Sequence, residues 1–241
     1  MVNLLLNIFW SIKSGTAINM VALYGVGEQN LLTKAEFSSV TAYYTIIVGM
    51  IVVAYFVGNI SPATIIGKIQ GVDIKKEGSG NAGATNVIRV LGVKAGALTL
   101  IIDIIKGVLV VLLGRAIGGE YLAMIVVLPV MIGHIWPIVF KFKGGKGVAT
   151  VFGAMVALCP SVGLLAVVVV IVVVLVGRRI SLGSIIGSIF LPVLVWYFIP
   201  AFLIDSIVMM LIILFKHREN IIRIAKGEEP KISFDKVRRK K

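Results

Sequence analysis

The chain has 241 residues, 59% hydrophobic and only 15% charged, with a mean hydropathy of +1.04. This excludes a soluble globular domain, whose water-facing surface needs far more polar groups. The formal charge of +13 is not spread over a face but gathers in short segments between apolar blocks. That pattern orients a chain in a membrane and argues against a nucleic-acid partner.

Blocks such as 161–176 run without a charge, and helices cross hydrocarbon with every backbone group paired, so an all-α polytopic membrane protein is expected. Residues 1–44 read as an extension of unclear role. Its apolar stretch at 4–10 is short and precedes Lys13, Glu28, Lys34 and Glu36. A signal peptide would place positive charge before the apolar stretch, so a surface-lying or dispensable segment fits better. A first span runs over residues 43–67 and opens the polar loop GVDIKKEGSGNAGATNVIR at 71–89. A second span, 96–113, is followed by Arg115 and Glu120. A third, 121–140, ends in KFKGGKG at 141–147. Residues 148–176 are apolar but interrupted at Cys159-Pro160. Arg178 and Arg179 precede a span over 181–198, and a last span, 201–215, leads into KHRENIIRIAKGEEP and a basic tail at 231–241. The single cysteine, Cys159, excludes an intrachain disulfide.

Charge decides how the interrupted block is read. Twenty of the 24 Lys and Arg residues lie in 68–94, 141–147, 177–179 and 216–241. Basic segments share the cytoplasmic side, so residues 148–176 must cross twice, as a hairpin turning at Cys159-Pro160. Each arm is then shorter than the roughly 20 residues of a full span. The expectation is seven helices within residues 45–230, amino end outside and carboxyl end inside, with the basic tail on an anionic leaflet.

Two loops combine glycine with cations. In Gly78-Ser79-Gly80-Asn81-Ala82-Gly83-Ala84-Thr85-Asn86, with Arg89 following, glycines bring backbone N–H groups close to a ligand. Ser79 and Asn81 add short polar groups there, and Arg89 a planar fork suited to phosphate. The alternative is a turn capping the next helix, through Asn81 or Thr85. In Lys141-Phe142-Lys143-Gly144-Gly145-Lys146-Gly147, the glycines beside Lys146 can form an anion cradle at a helix amino terminus. It is not a nucleotide P-loop, because Gly147 follows Gly145-Lys146 and Phe140 stands where that pattern needs its first glycine. The plainer reading is a positive-inside turn.

A third cluster, Lys216-His217-Arg218-Glu219-Asn220, closes the last span. His217 and Asn220 share a helix face. His217 can serve as a base or, as an imidazolium, donate to phosphate; the other reading is a set of snorkelling charges. Ser181 is placed as an N-cap, while Ser184, a turn deeper, is freer to face a ligand. Asp103 and Lys106 are i,i+3 neighbours within the second span and are read as a mutual pair or the lining of a buried site. His134 and Pro137 are assigned structural work.

Taken in order, GSGNAGATNVIRVLG, GHIWPIVFKFKGGKGVAT, RRISLGSI and FKHRENIIRIAKGEEPK resemble the PlsY family, bacterial membrane acyl-phosphate:glycerol-3-phosphate acyltransferases. The resemblance spans roughly residues 45–230. It implies seven helices in the bacterial inner membrane with the active site on the cytoplasmic side. It also implies acyl transfer from a long-chain acyl phosphate to the sn-1 hydroxyl of glycerol 3-phosphate, giving lysophosphatidic acid and phosphate. By motif match, Ser79, Arg89, Lys146, His217 and Asn220 are the catalytic positions. Asn81, Gly144, Gly145, Gly147 and Ser184 bind substrate, and Glu219 falls at a structural position. The family's route passes the proton to the donor's own phosphate, with His217 as a positioning group. No cofactor or metal is expected; the partners are the two substrates and membrane lipids, and the protein is expected to be a monomer. Acyltransferases that use acyl-CoA often carry His, four residues, then Asp. Here Val139 and Ile222 stand at that spacing from His134 and His217. A transporter for an organic phosphate is the competing class, but its site belongs near the bilayer midplane and no internal repeat is present.

Overall fold

A computed structural model describes residues 40–231, so the expectations for residues 1–39 and for the tail from 232 lie outside the described residues. The described chain is helical throughout, as the continuous apolar blocks require. Its α-helices are α1 (Val40–Asn59), α2 (Pro62–Ile69), α3 (Ala84–Leu91), α4 (Val93–Ile125), α5 (Val127–Ile135), α6 (Val148–Leu158), α7 (Pro160–Gly177), α8 (Ile180–Phe198), α9 (Leu203–Lys216) and α10 (Arg218–Ala225). Single 3-10 turns lie at Ile138–Phe140 and Pro200–Phe202.

Four stretches are long and apolar enough to cross a membrane: Tyr43–Ile69, Val93–Ile125, Pro160–Gly177 and Ile180–Phe198. The pair Pro200–Lys216 and Arg218–Ala225, bent by 61°, makes a fifth, while Val127–Phe140 and Val148–Leu158 are shorter apolar helices. By length alone the described residues therefore hold four or five spans, short of the seven expected. The shortfall has two physical sources. The expected second and third spans are separated inside α4 by a kink at Gly118 (φ −136°) and Gly119 (φ 68°). Beyond it the chain folds back so that a Cβ on Gly114 would lie 3.1 Å from the Leu122 carbonyl, and the third span is divided between the end of α4 and the short α5. The first arm of the expected hairpin, α6, has only 11 residues.

The break at Cys159 falls where Pro160 predicts it, since proline suits the first helical position and not the interior. Beyond the break α7 turns back onto α6, and a Cβ on Gly163 would lie 2.4 Å from the Val156 nitrogen. At this end of the bundle Arg115 binds Glu120 through Nε (2.5 Å) and one terminal nitrogen (2.9 Å). It also donates to the carbonyls of Ala157 and Leu158, capping the negative end of α6.

Small residues let the central helices touch. A Cβ on Gly153 of α6 would stand 2.2 Å from the Ile104 carbonyl of α4, and one on Gly133 of α5 would stand 2.1 Å from the Tyr55 carbonyl of α1. Close backbone approach of this kind is how helices associate where no water drives burial. Around these contacts lies one core that includes Val110, Val126, Met131, Val151, Met155, Leu191, Phe202 and Met209. The outer faces are apolar: Val168, Ile171, Val172, Leu175 and Val176 line the exposed side of α7, as lipid contact demands. Asp103 and Lys106 do pair, at 2.8 Å, and His134 joins them from α5.

Candidate active site

The polar segments between helices meet at one end of the bundle. The loop before α3 turns through Gly78 and Gly80, both at positive φ (61° and 68°), where a side chain is disfavoured. Asn86, buried on α3, fixes this turn. Its Oδ1 accepts from the Ser79 N–H at 2.8 Å, and its Nδ2 donates to the Ile74 and Glu77 carbonyls at 3.0 Å each. The helix cap is Gly83, with no side-chain cap bond, so neither Asn81 nor Thr85 caps α3. Ser79 and Arg89 are exposed. Among the described residues, neither the Ser79 hydroxyl nor the Arg89 guanidinium has a protein partner.

The second loop rests on the first and on α5. A Cβ on Gly145 would lie 3.1 Å from the Ala82 carbonyl, and the Gly144 and Gly145 N–H groups donate to the Ile135 and His134 carbonyls, each at 3.2 Å. Those two amides are therefore spent inside the protein and do not face an anion. The cradle differs from the expected one: Gly144 and Gly145 let the loop close on His134 and Pro137, while Gly147, at φ 87°, turns it into α6. The N–H groups left for a ligand are those of Lys146, Gly147 and the first turn of α6.

Lys146 points across to α10, where its Nζ donates to Asn220 Oδ1. Burial lowers the Lys146 ammonium to about 8, partly opposed by the attraction of Glu229. His217, at the bend between α9 and α10, is buried and bonded through Nδ1 to the Ile213 carbonyl at 2.8 Å. A carbonyl can only accept, so Nδ1 carries the proton and Nε2 keeps its lone pair. Burial, then the charge of Lys146, lowers His217 to about 4. An imidazole lowered to that value is neutral near pH 7, which favours acceptance through Nε2 over the imidazolium donor also considered from sequence.

Glu229 organises this side. Its Oε1 accepts from Ser181 Oγ and Asn220 Nδ2, both at 2.7 Å, and its Oε2 from Arg223 Nε at 2.7 Å. Arg179 Nε adds a bond to its carbonyl at 3.1 Å. Although burial favours the neutral acid, bonds from Ser181, Arg223 and Asn220 hold its carboxyl below the usual range. Ser181 is thus no N-cap, which is Arg179; its hydroxyl is committed to Glu229. Glu219, the expected structural carboxylate, is exposed and meets Arg218 only at 3.8 Å. Ser184 lies buried a turn beyond Ser181. Lys146 and Asn220 are thus in direct contact, and the two glycine loops touch. Ser79, Arg89, Ser184 and His217 share no hydrogen bond with them.

Beside the loops a cavity of about 620 Å³ is lined by Lys68, Lys75, Lys141 and Phe140, among others. Lys75 Nζ stands 4.8 Å from the Phe140 ring centre, and burial with the neighbouring Lys143 and Lys68 lowers its ammonium against the pull of Asp73.

Comparison with known proteins places the chain in a family. Residues 48–227 match a family model described as glycerol-3-phosphate acyltransferase. A protein of that description from Clostridioides difficile is 44% identical over 193 residues, covering 77% of this chain and 95% of its own. One from Shewanella loihica is 40% identical over 189 residues, 78% of this chain and 93% of its own. The crystal structure of PlsY, an integral membrane glycerol 3-phosphate acyltransferase in its glycerol 3-phosphate form, superimposes with a TM-score of 0.77. Its sequence is 36% identical, and the match covers 81% of this chain and all of that one. The lysophosphatidic acid form gives 0.74 over 80% and 98% of the two chains. With most of its length matched at this identity, the chain belongs to the glycerol-3-phosphate acyltransferase family, that of PlsY.

Proposed function

We propose that the loop end of the bundle binds glycerol 3-phosphate and a long-chain acyl phosphate together and joins them. The sn-1 hydroxyl oxygen attacks the acyl carbonyl, the bond from carbonyl carbon to phosphate oxygen breaks, and lysophosphatidic acid and inorganic phosphate leave. What supports this reading is the meeting of the two glycine loops, where a Cβ on Gly145 would lie 3.1 Å from the Ala82 carbonyl, with Lys146 held there by Asn220 beside the free amides at the start of α6. Two phosphates repel each other in a low-dielectric site unless such charge is already in place. An acyl phosphate is a mixed anhydride with a good leaving group, so holding hydroxyl and carbonyl in attack geometry supplies much of the acceleration and no acyl-enzyme is required.

Each residue then has a task. Lys146, fixed by Asn220, meets a phosphate; Arg89 and the Ser79 hydroxyl, both uncommitted, reach it from the first loop beside Asn81. Gly144, Gly145 and Gly147 shape the second loop. Ser184 faces the same space from α8. The free Nε2 of His217 accepts the hydroxyl hydrogen bond and orients the nucleophile. A histidine at about 4 is too weak a base to hold that proton at neutral pH, so the proton passes to the departing phosphate. Counting the short helices α5 and α6 as crossings gives seven, with residues 45–230 as the enzyme and the flanking segments outside the chemistry. The basic loops then face the cytoplasm at the bacterial inner membrane, and a monomer holds the complete set of groups.

The test is phosphate release by the purified protein in detergent, given both substrates, with and without a chelator. Release that is lost in Lys146→Ala and Arg89→Ala and untouched by chelation is expected. Release that survives both substitutions overturns the site, and release abolished by chelation overturns the metal-free chemistry.

A further inference from the structure

Asp103, Lys106 and His134 are 2%, 3% and 7% exposed, and none belongs to the reaction just described. Charge buried inside a membrane bundle is costly and persists where it is paired or used. Lys106 Nζ lies 2.8 Å from Asp103 Oδ1 and 2.7 Å from His134 Nδ1, and donates to the Gly58 and Ile60 carbonyls at 3.2 and 2.9 Å. Asp103 Oδ1 is in ion-pair contact without an aligned hydrogen bond. His134 Nδ1 also lies 3.3 Å from Asp103 Oδ1; with Lys106 donating to Nδ1 at the shorter distance, the imidazole proton sits on Nε2. That nitrogen faces the second glycine loop: a Cβ on Gly145 would stand 2.1 Å from it. The His134 carbonyl meanwhile takes the Gly145 N–H. One residue thus holds the loop twice, through its ring and its main chain. Among the described residues, Nε2 has no hydrogen-bond acceptor of its own.

We propose that Asp103, Lys106 and His134 are positioning residues for acyl transfer: Asp103 holds Lys106, Lys106 fixes the His134 ring, and the ring seats the Gly145-Lys146 loop against its phosphate. This rests on the reading of that loop as a phosphate site. A purely architectural cluster, tying α1, α4 and α5 together, predicts something different. It lowers stability when broken but leaves the affinity of folded enzyme alone.

The experiment measures steady-state phosphate release by the full chain in detergent, varying each substrate in turn, together with the thermal midpoint. The variants are Asp103→Asn, His134→Leu, His134→Gln and Lys146→Ala. Groups that orient a binding shell typically contribute about 10–100-fold. His134→Leu and Asp103→Asn are therefore expected to raise one of the two KM values at least tenfold, with kcat within about threefold. His134→Gln, whose amide N–H can stand in for Nε2–H, should recover most of that loss. If His134→Leu fails to accumulate, Asp103→Asn and His134→Gln read the same quantities against wild type. KM values within twofold of wild type alongside a lowered midpoint overturn the proposal, as does a kcat loss with both KM values unmoved. If Lys146→Ala also leaves both KM values unchanged, the loop is not the phosphate site and the underlying reading fails instead.

Discussion

The two ends of the bundle each carry an arginine or lysine at a helix terminus, and they spend it differently. At the far end Arg115 is saturated: Glu120 takes two of its bonds, and the last carbonyls of α6 take the others. At the loop end Lys146 has a single neutral partner, Asn220, and Arg89 has none among the described residues. A cation whose donors are all committed contributes to the fold. One held in place with donors to spare is set for an anion that arrives later.

Exchanging the two roles by mutation gives the largest effect. Lys146→Ala should lower kcat/KM by about 10²–10³, the usual loss of one preorganised donor to developing or fixed negative charge, with the thermal midpoint nearly unchanged. Arg115→Ala should do the reverse, with activity per folded molecule retained and stability lowered by about 1–3 kcal/mol. Assays paired with thermal melts separate the two, and a large activity loss in Arg115→Ala would break the contrast.

A second carboxylate network sharpens it. Glu229 gathers Ser181, Asn220 and Arg223, so Glu229→Ala strands three buried or half-buried donors and should cost about 2–4 kcal/mol of stability. Asn220 then loses its anchor and Lys146 its fixed partner, so activity falls as well. A melt unchanged from wild type would show that the network carries no weight.

These roles were unevenly legible in the sequence. The break at Cys159-Pro160 and the two glycine-cation loops between helices follow from local composition, and the structure has them at those positions. The fates of the individual glycines did not follow. Whether a glycine exposes its N–H or serves close packing depends on what approaches it, and Gly145 meets His134 from another helix. Likewise Asn86 and Glu229 do their work through partners that local spacing does not reveal. Glu229 lies in KHRENIIRIAKGEEP, where local spacing gives it no separate role, and the family resemblance places the structural carboxylate at Glu219.

The next effect is smaller and depends on pH. Lys146 falls from an ordinary 10.5 to about 8, so kcat/KM, which reports the free enzyme, should decline above pH 8 as its charge is lost. Bound phosphate restores the charge, moving the decline in kcat to higher pH. Stability runs the other way. Between about 8 and 10.5 the unfolded chain binds the more protons, so this group's contribution to stability rises with pH across that window. Lys146→Arg keeps its charge throughout, and its profile should lose the alkaline limb; a limb that persists unchanged belongs to another group.

The smallest effect is the most discriminating between the two glutamates. Glu219 lies on the exposed face of α10, 3.8 Å from a likewise exposed Arg218, and such pairs contribute roughly 0–1 kcal/mol. Glu219→Gln should therefore leave the thermal midpoint close to wild type. Its charge nevertheless acts on Lys146, raising that ammonium against the effect of burial. Removing it should move the alkaline limb of kcat/KM slightly toward lower pH and leave the plateau intact. A collapse of stability in Glu219→Gln would return to Glu219 the structural role that the geometry gives to Glu229. A limb that stays fixed would mean that solvent screens the surface charge from the site.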